Sequence, residues 1–293
     1  MPTPLPGGTI TLGDDLTITR MGYGAMQFGL PGTVGSHGAD GKAGAVLRHV
    51  VELGINHIDT SDFYGAGGVN ELLRSALHPY PSDLHIATKV GFRSDRDGNW
   101  SPAADPDDLR RQVHDNLDRL GLETLDLVNL RVDTEALDTV SDDSIAEQFS
   151  ALADLQREGA IRHLGLSCVS DAQLTEAQSI APVVSVQNYY NLAQRNHDDL
   201  VDRCETEKIA FVPFFPLGGF SPLQSQSLTD VAAGLGATPQ QVALAWLLHR
   251  STTIALIPGT SSIDHLHDNI AAASLELPAE AIETLDTIGA AAV

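Results

Sequence analysis

The sequence predicts an α/β fold, a (β/α)8 TIM barrel preceded by an N-terminal β-hairpin. Eight short β-branched segments alternate with eight amphipathic segments of helical length, which is typical of parallel βαβ units. The length of 293 residues suits one barrel, which typically needs about 250 residues. The glycine fingerprint of an open dinucleotide-binding sheet is missing, because the nearest run, at residues 22–27, has Gln27 at the third glycine position.

The predicted elements follow one another along the whole chain. Residues Thr9–Arg20 alternate polar and apolar side chains around a Gly-Asp-Asp turn and predict the hairpin. The predicted barrel strands are Arg20–Gly24, Asn56–Asp59, Leu84–Val90, Leu125–Leu130, Ile161–Ser167, Val183–Gln187, Ile209–Phe214 and Ile254–Pro258. The predicted helices are Lys42–Leu53, Val69–Leu77, Pro106–Leu120, Ser144–Arg157, Asp171–Gln178, His197–Glu207, Pro239–His249 and Ser262–Ala272. No break in composition separates these segments, so residues 1–293 are expected to form a single domain.

The charge balance argues against nucleic acid as a partner. The chain carries 39 acidic against 17 basic side chains, for a net charge of −22. Binding to phosphate backbones or to anionic lipid relies on clustered Lys and Arg. No apolar run approaches the roughly 18 residues that a membrane span needs. We therefore expect neither nucleic acid nor a membrane as a partner.

The composition also predicts a location and the absence of a metal. The amino-terminal segment lacks the basic and apolar stretches of a secretory signal. The two cysteines, Cys168 and Cys204, cannot form a disulfide framework. A reducing, cytoplasmic location is therefore expected. The eleven histidines show no metal-binding spacing, so no metal is predicted.

Chemistry-bearing side chains stand where predicted strands end, which in a barrel is the face that carries the active site. Asp59 ends the second strand, and Tyr64 follows five residues later. Lys89 lies near the end of the otherwise apolar third strand. Lysine is rarely buried without a partner, so we expect Asp59 to pair with it. The alternatives are a loop cap for Asp59, a core aromatic for Tyr64 and an exposed lysine.

Taken together, these three residues predict a proton donor. A phenol has a pKa near 10 and donates a proton slowly near neutral pH. A neighbouring ammonium group stabilises the phenolate and lowers that pKa, and a carboxylate fixes the position of the ammonium. We therefore expect Tyr64 to protonate a carbonyl oxygen while hydride reaches the carbonyl carbon.

The chain resembles the aldo-keto reductase family along nearly its whole length. The matching segments are HIDTSDFYG (57–65), ATKVG (87–91), Gly165-Leu166-Ser167, Gln187-Asn188, Pro216-Leu217-Gly218 and Ile257-Pro258-Gly259-Thr260. The segments GYGAMQ, DTSDFYG, DLVNLRV, VPFFPLGGF and LAWLLHRS are similar to a bacterial subgroup that includes pyridoxal reductases. The resemblance implies a barrel that reduces a small carbonyl compound, with pyridoxal as the specific candidate, and NADPH as the cofactor, with NADH as the alternative.

The resemblance also implies a role for each matching residue. Tyr64 would be the acid, and Asp59 and Lys89 would tune it. Ser167 and Gln187 would contact the nicotinamide carboxamide. The other implied cofactor-binding residues are Gly24, Phe214 against the nicotinamide ring, Pro216, Leu217 and Gly218 near the pyrophosphate, and Thr260, Ser261, Ser262, His265, Asp268 and Asn269 at the adenosine end. The amide groups at a helix N-terminus attract phosphate, which independently favours the placement of Thr260, Ser261 and Ser262.

The fourth catalytic position departs from the family, which usually has a histidine there. Counting five residues from Asp126 reaches Arg131, and Asn129 takes the place if the alignment shifts. Either side chain can donate to a carbonyl oxygen, and arginine adds a permanent charge suited to a substrate with an anionic or phenolate oxygen. A structural salt bridge is the alternative role for Arg131.

Two further departures concern the cofactor. The asparagine that usually follows the strand-5 serine is Cys168, and the basic side chain that usually contacts the 2′-phosphate of NADPH is His265, with His267 nearby. Histidine contributes to phosphate binding when it is protonated.

The sequence therefore predicts an NAD(P)H-dependent reductase of a small aldehyde or ketone. Trp100, in the loop after the third strand, is a candidate substrate contact, since such loops often shape the substrate pocket. The alternative is a nicotinamide-nucleotide-binding sensor or regulatory barrel with little turnover, which the altered fourth position favours. The sequence leaves the oligomeric state open.

Overall fold

The computed structural model describes residues 5–30, 40–95, 97–132, 139–219 and 223–289. The strands are β1 (Thr9–Leu12), β2 (Leu16–Thr19), β3 (Tyr23–Gly24), β4 (His57–Asp59), β5 (His85–Val90), β6 (Phe92–Ser94), β7 (Trp100–Pro102), β8 (Leu125–Arg131), β9 (Ile161–Ser167), β10 (Val183–Gln187) and β11 (Ala210–Phe211). The helices are α1 (Lys42–Glu52), α2 (Gly68–Leu77), α3 (Pro106–Leu120), α4 (Ala146–Arg157), α5 (Asp171–Gln178), α6 (Asp198–Glu207), α7 (Gln226–Leu235), α8 (Pro239–Arg250), α9 (Ile263–Ala272) and α10 (Ala279–Asp286).

Seven parallel strands form the central sheet, in the order β3-β4-β5-β8-β9-β10-β11. The segment after α8 closes it, because Ile254 bridges to Phe211 of β11 and Leu256 bridges to Met21, both in parallel orientation. The Leu256 amide also donates to the carbonyl of Arg20 at 2.7 Å. The sheet thus returns to its own first strand, which confirms the predicted (β/α)8 barrel.

Three barrel strands are shorter than predicted. The first is reduced to β3 beside the Met21 bridge, the seventh to β11, and the eighth to the bridges at residues 254 and 256. Proline has no amide hydrogen for the ladder, so Pro213 and Pro258 limit the last two strands. The ends of the strands that are present still bring the predicted site residues to one edge of the barrel.

The predicted N-terminal hairpin is present as β1 paired with β2. Its buried side chains Leu12, Leu16 and Ile18 belong to one apolar cluster with residues of the barrel strands. These strand residues include Ala87, Leu127, Val184, Ala210, Val212, Ala255 and Ile257. Their neighbours along the strands belong instead to the larger cluster that packs under the helices. The hairpin therefore packs on the interior of the barrel.

One helix begins later than predicted because a side chain binds the residues just before it. α4 begins at Ala146 rather than Ser144, because Glu176 accepts hydrogen bonds from the Ser144 hydroxyl at 2.7 Å and the Ile145 amide at 2.7 Å. The structure also contains α7 and α10, which the sequence analysis missed. The Trp246 indole of α8 donates to Asp286 at 2.8 Å and anchors α10.

In the described part of the chain, no single helix is long and apolar enough to cross a membrane. Only α7 and α8 together meet the criteria of length and composition, and they meet at a bend of 93°. Residues 242–247 of α8 are buried within the protein core.

Candidate active site

Asp59 and Lys89 form a buried ion pair at the carboxyl edge of the barrel. Their strands β4 and β5 are parallel neighbours. The Lys89 ammonium donates to Asp59 Oδ1 at 2.5 Å and to the carbonyl oxygen of Thr60 at 3.0 Å. The two side chains are only 5% and 3% exposed. The pairing expected from the sequence is therefore present, and both members are removed from solvent.

Tyr64 stands beside this pair in a short 3-10 helix, Tyr64–Gly67, that follows β4. Its ring centroid is 5.1 Å from the Lys89 ammonium nitrogen, and the residue is 6% exposed. A glycine at position 29 allows the preceding turn to touch this segment, since a Cβ there would lie 2.8 Å from the Gly65 amide nitrogen. The backbone of this segment thus packs closely against the turn that contains Gly29.

The pKa of Tyr64 differs from the expectation. Burial raises the pKa of Tyr64, and Asp59 raises it further, while the positive charges of Lys89 and Arg131 lower it. The net pKa is raised, so the prediction of a value below the ordinary one is wrong, because the loss of hydration outweighs the nearby cations. Burial also lowers the pKa of Lys89, but Asp59 and Tyr64 together raise it above its ordinary value. Tyr64 is therefore a protonated phenol beside a charged ammonium.

Gln187, at the end of β10, completes the cluster from the opposite side of Asp59. Its side-chain amide nitrogen donates to Asp59 Oδ2 at 2.8 Å. Within the part of the chain that the structure covers, its buried side-chain oxygen Oε1 has no hydrogen-bond partner. A buried acceptor without a donor is costly. A carboxamide N–H of nicotinamide would supply that donor, so this residue fits the expected cofactor.

A cavity of about 350 Å³ opens above these residues. Aromatic side chains form much of its wall, including Phe63, Phe92 and Trp100. The Trp100 ring lies 4.9 Å from Phe63 and 5.7 Å from Tyr64, measured between centroids. Trp100 is 47% exposed and belongs to the β6–β7 hairpin. The loop after the third predicted strand therefore does border the cavity, as expected for a substrate contact.

Arg131, and not Asn129, reaches the cavity. Arg131 is the last residue of β8 and lines the cavity wall. Asn129 is fully buried, lies outside the cavity lining, and packs so closely that a Cβ at Gly165 would fall 2.1 Å from its side-chain oxygen. Neither polar atom of its side chain has a partner among the described residues. The alternative placement of Asn129 at the fourth position is therefore not supported.

Arg131 makes no ion pair within the described ranges, so the salt-bridge alternative is not observed. Its guanidinium donates to the Ser167 hydroxyl at 3.4 Å. Its central carbon lies 5.8 Å from the Phe92 ring centroid and 5.2 Å from that of Phe214. Two aromatic rings, the weak hydrogen bond to Ser167 and a contact with the Cys168 side chain thus hold the guanidinium at the cavity.

Five of the predicted cofactor residues line the same cavity: Gly24, Gln187, Phe214, Pro216 and Leu217. Gly24 permits a close approach of chain segments, since a Cβ there would lie 2.5 Å from the Ile257 carbonyl oxygen. The Phe214 ring stacks on Tyr189, with centroids 5.8 Å apart. Ser167 and Gly218 are buried next to lining residues without lining the cavity themselves.

The remaining predicted residues lie in the loop before α9 and in its first seven residues, and they do not line the cavity. They are Thr260, Ser261, Ser262, His265, Asp268 and Asn269. The Ser262 hydroxyl caps the helix by accepting from the His265 amide at 3.4 Å. The Tyr23 hydroxyl donates to the Thr260 carbonyl at 2.6 Å and fixes the loop. Residues 257–259 line the cavity, so only a short loop separates the cavity from this helix start.

His265 and His267 are both exposed on α9, and His267 also contacts another helix. The His267 Nε2 atom lies 3.0 Å from Nε2 of His49 on α1. His267 is therefore engaged with α1.

Several residues of the cavity wall escaped the sequence analysis: Met26, Gln27, Leu30, Phe63, Phe92, Phe215 and Gly219. Two of them carry a signal that could have found them. Phe63 directly precedes Tyr64, and Phe92 follows the Lys89 strand by one turn residue. Aromatic side chains next to strand-end polar residues are thus candidates for pocket walls.

Comparison with known proteins gives concordant results. The aldo/keto reductase family model matches residues 20–290. The chain is 51% identical to pyridoxine 4-dehydrogenase of Escherichia coli strain K12 over 284 residues, which cover 97% of this chain and 99% of that protein. It is 38% identical to an uncharacterized oxidoreductase of Schizosaccharomyces pombe, over 96% of this chain and 90% of the other.

A solved structure shows the same architecture. The holo form of aldo-keto reductase AKR11C1 from Bacillus halodurans superposes with a TM-score of 0.78 at 27% identity, covering 98% of this chain and 97% of the other. The closed barrel, the Asp59–Lys89 pair beside Tyr64 and these matches lead to one conclusion. The chain belongs to the aldo/keto reductase family of NAD(P)H-dependent oxidoreductases.

Proposed function

We propose that this protein reduces the aldehyde group of pyridoxal, or of a closely similar aromatic aldehyde, with NADPH. The observation that carries the proposal is the protonated Tyr64 phenol beside the buried Asp59–Lys89 pair, at the base of a cavity with aromatic walls. The name of the E. coli relative, pyridoxine 4-dehydrogenase, describes the same interconversion in the oxidative direction. Residues 1–293 would act as one catalytic domain in the cytoplasm.

The reduced nicotinamide supplies the hydride in this reaction. Tyr64 supplies the proton, since its raised pKa keeps the hydroxyl protonated until the carbonyl oxygen becomes basic. Lys89 then stabilises the phenolate that remains, because its ammonium already lies against the Tyr64 ring. Asp59 holds the ammonium in place through the bond to Oδ1.

Gln187 and Phe214 would orient the nicotinamide. The unpartnered Gln187 oxygen would accept from the carboxamide, and its amide nitrogen is fixed by Asp59. Phe214, held against Tyr189, would present its ring to the nicotinamide ring. The capped start of α9 would bind the adenosine phosphate, and His265 would contact the 2′-phosphate that distinguishes NADPH from NADH.

Steady-state kinetics with pyridoxal and either NADPH or NADH tests this function. A Tyr64→Phe variant should lose about 10²–10⁴-fold in kcat, the usual contribution of a positioned general acid. It should still bind NADPH, as measured by nucleotide fluorescence. The matched control is Tyr80→Phe, which removes a hydroxyl bonded to the Leu120 carbonyl on another surface, and its kcat should match the wild type.

Full activity in Tyr64→Phe would contradict the assignment of the acid. NADPH binding without turnover of any carbonyl compound would favour the sensor alternative. A preference for NADH would contradict the role of His265.

A further inference from the structure

Among the described residues, the lining of the cavity that holds Tyr64 carries one more positive charge than negative charge. Among its described lining residues, the charged side chains are Asp59, Lys89 and Arg131. Asp59 and Lys89 neutralise each other at 2.5 Å. No described carboxylate pairs with Arg131, although the protein has a net charge of −22. A cation in a partly enclosed site attracts an anion more strongly than one at the surface.

The guanidinium of Arg131 is also positioned and not fully used. A guanidinium has five N–H donors, and within the described ranges Arg131 donates to the Ser167 hydroxyl at 3.4 Å and contacts the Cys168 side chain, so further donors remain for a ligand. The Phe92 and Phe214 rings restrict its movement. Because arginine does not give up its proton in proteins, it cannot serve as the second acid. Its roles are to donate hydrogen bonds to an oxygen of the substrate and to recognise negative charge.

The aromatic walls indicate the kind of molecule that carries this charge. Phe63, Phe92 and Trp100 border the cavity beside Tyr64, and aromatic faces of this kind pack on planar rings. Tyr64 and Arg131 line the same cavity, and the charge of Arg131 acts on Tyr64. If Tyr64 takes the carbonyl oxygen of a ring-bound aldehyde, an oxygen on the neighbouring ring carbon would therefore face Arg131.

Building on the reduction proposed above, we propose that Arg131 determines substrate specificity by pairing with an ionised oxygen on the ring carbon next to the one that bears the aldehyde. Pyridoxal has such an oxygen. The family usually has histidine at this position. Arginine there narrows the substrate range from carbonyl compounds in general to ring aldehydes with an ionised oxygen on the adjacent ring carbon.

Two isomeric aldehydes and one parent compound test this specificity. In 2-hydroxy-5-nitrobenzaldehyde and 4-hydroxy-3-nitrobenzaldehyde, the nitro group keeps the phenol ionised at neutral pH, so both are anions that differ in the position of the oxygen. The parent is 3-nitrobenzaldehyde, which has no hydroxyl group. Because nitrophenolates absorb where NADPH does, kcat/KM is measured from the alcohol product by chromatography.

The wild type should prefer the ortho isomer to the para isomer by about 10-fold to 100-fold, the range for a hydrogen bond to a charged group. Arg131→Met keeps the length of the side chain and its packing between the rings, and it should bring the ratio close to one. Arg131→Lys should retain part of the preference. Arg93→Met is the matched control, since Arg93 is half exposed on the β6–β7 hairpin and pairs with Asp108, and its ratio should equal that of the wild type.

The ratio is measured within one preparation, so partial misfolding of a variant lowers all three rates together and leaves the ratio intact. Turnover of all three aldehydes by the wild type without positional preference overturns the role of Arg131 and leaves the reductase function standing. A preference that survives in Arg131→Met overturns it as well. No turnover of any aldehyde overturns the proposed function, and this inference with it.

Discussion

Replacing Lys89 by methionine removes the ammonium of the buried pair while keeping a side chain of similar length. Asp59 then keeps its bond from Gln187 at 2.8 Å and loses the Lys89 donor at 2.5 Å. Its side chain is 3% exposed, so water cannot easily replace the lost partner. A carboxylate would remain in the core without a counter-charge.

Removing one partner of a buried ion pair typically costs about 3–5 kcal/mol. For a chain of 293 residues, an unfolding entropy of about 2.1 cal/mol/K per residue converts this loss to a decrease in Tm of about 5–8 °C. The double variant Asp59→Asn, Lys89→Met leaves no buried charge, and it should recover most of that decrease. Activity should not return in the double variant, because Tyr64 still lacks its ammonium.

Differential scanning fluorimetry and urea unfolding of the wild type, both single variants and the double variant measure this cycle. The Lys42→Met variant is the control, since Lys42 is exposed at the start of α1 and its loss should leave Tm unchanged. An unchanged Tm in Lys89→Met would refute the reasoning. So would a double variant as unstable as Lys89→Met alone, because the cost could not then come from an unpaired charge.

Two further perturbations test other parts of the fold. Burial lowers the pKa of His57 to about 4 from 6.5, so the unfolded chain binds this proton more readily, and stability is lost as pH falls from 6.5 toward 4. Between about pH 7 and pH 5 the wild type should lose about 2 kcal/mol more stability than His57→Leu by urea unfolding, and equal losses would contradict this origin. Gly91 has φ +116° and its Cβ would lie 2.3 Å from the Arg131 carbonyl oxygen, so Gly91→Ala should cost more than the about 1–3 kcal/mol of backbone strain alone. Gly98→Ala, with φ +86° in open space, is the control for strain without the clash, and equal decreases in Tm would show that the contact with β8 is unimportant.

The alternation of strands and helices predicted the barrel because each barrel strand is buried on both faces and each helix on one. The ends of individual strands were harder to predict. β3 and β11 contain two residues each, and their hydrogen bonds depend on closure of the sheet rather than on local pattern. α7 was missed although Ser225 caps its start and Gly236, in a left-handed conformation, ends it. These capping residues are readable in the sequence.

Some features of the candidate site could likewise be predicted from the sequence, and others could not. Asp59 and Lys89 could be paired from the sequence, because parallel neighbouring strands end at the same edge of the sheet. The raised pKa of Tyr64 could not be predicted, since it depends on how deeply the phenol is buried. The choice between Arg131 and Asn129 depends on which of the two inward-facing side chains lies nearer the open end of the barrel. That is a property of strand register and barrel depth, not of residue type.

The ion pair between Asp59 and Lys89 affects how Lys89 can react with an aldehyde. Aldehydes condense with unprotonated primary amines to form imines, and Lys89 places a primary amino group in the wall of the cavity. Burial lowers the pKa of Lys89, yet Asp59 and Tyr64 bring it above the ordinary value, so the nitrogen has no free lone pair with which to attack. Asp59 therefore favours the protonated form of Lys89, which is the form that does not condense with aldehydes.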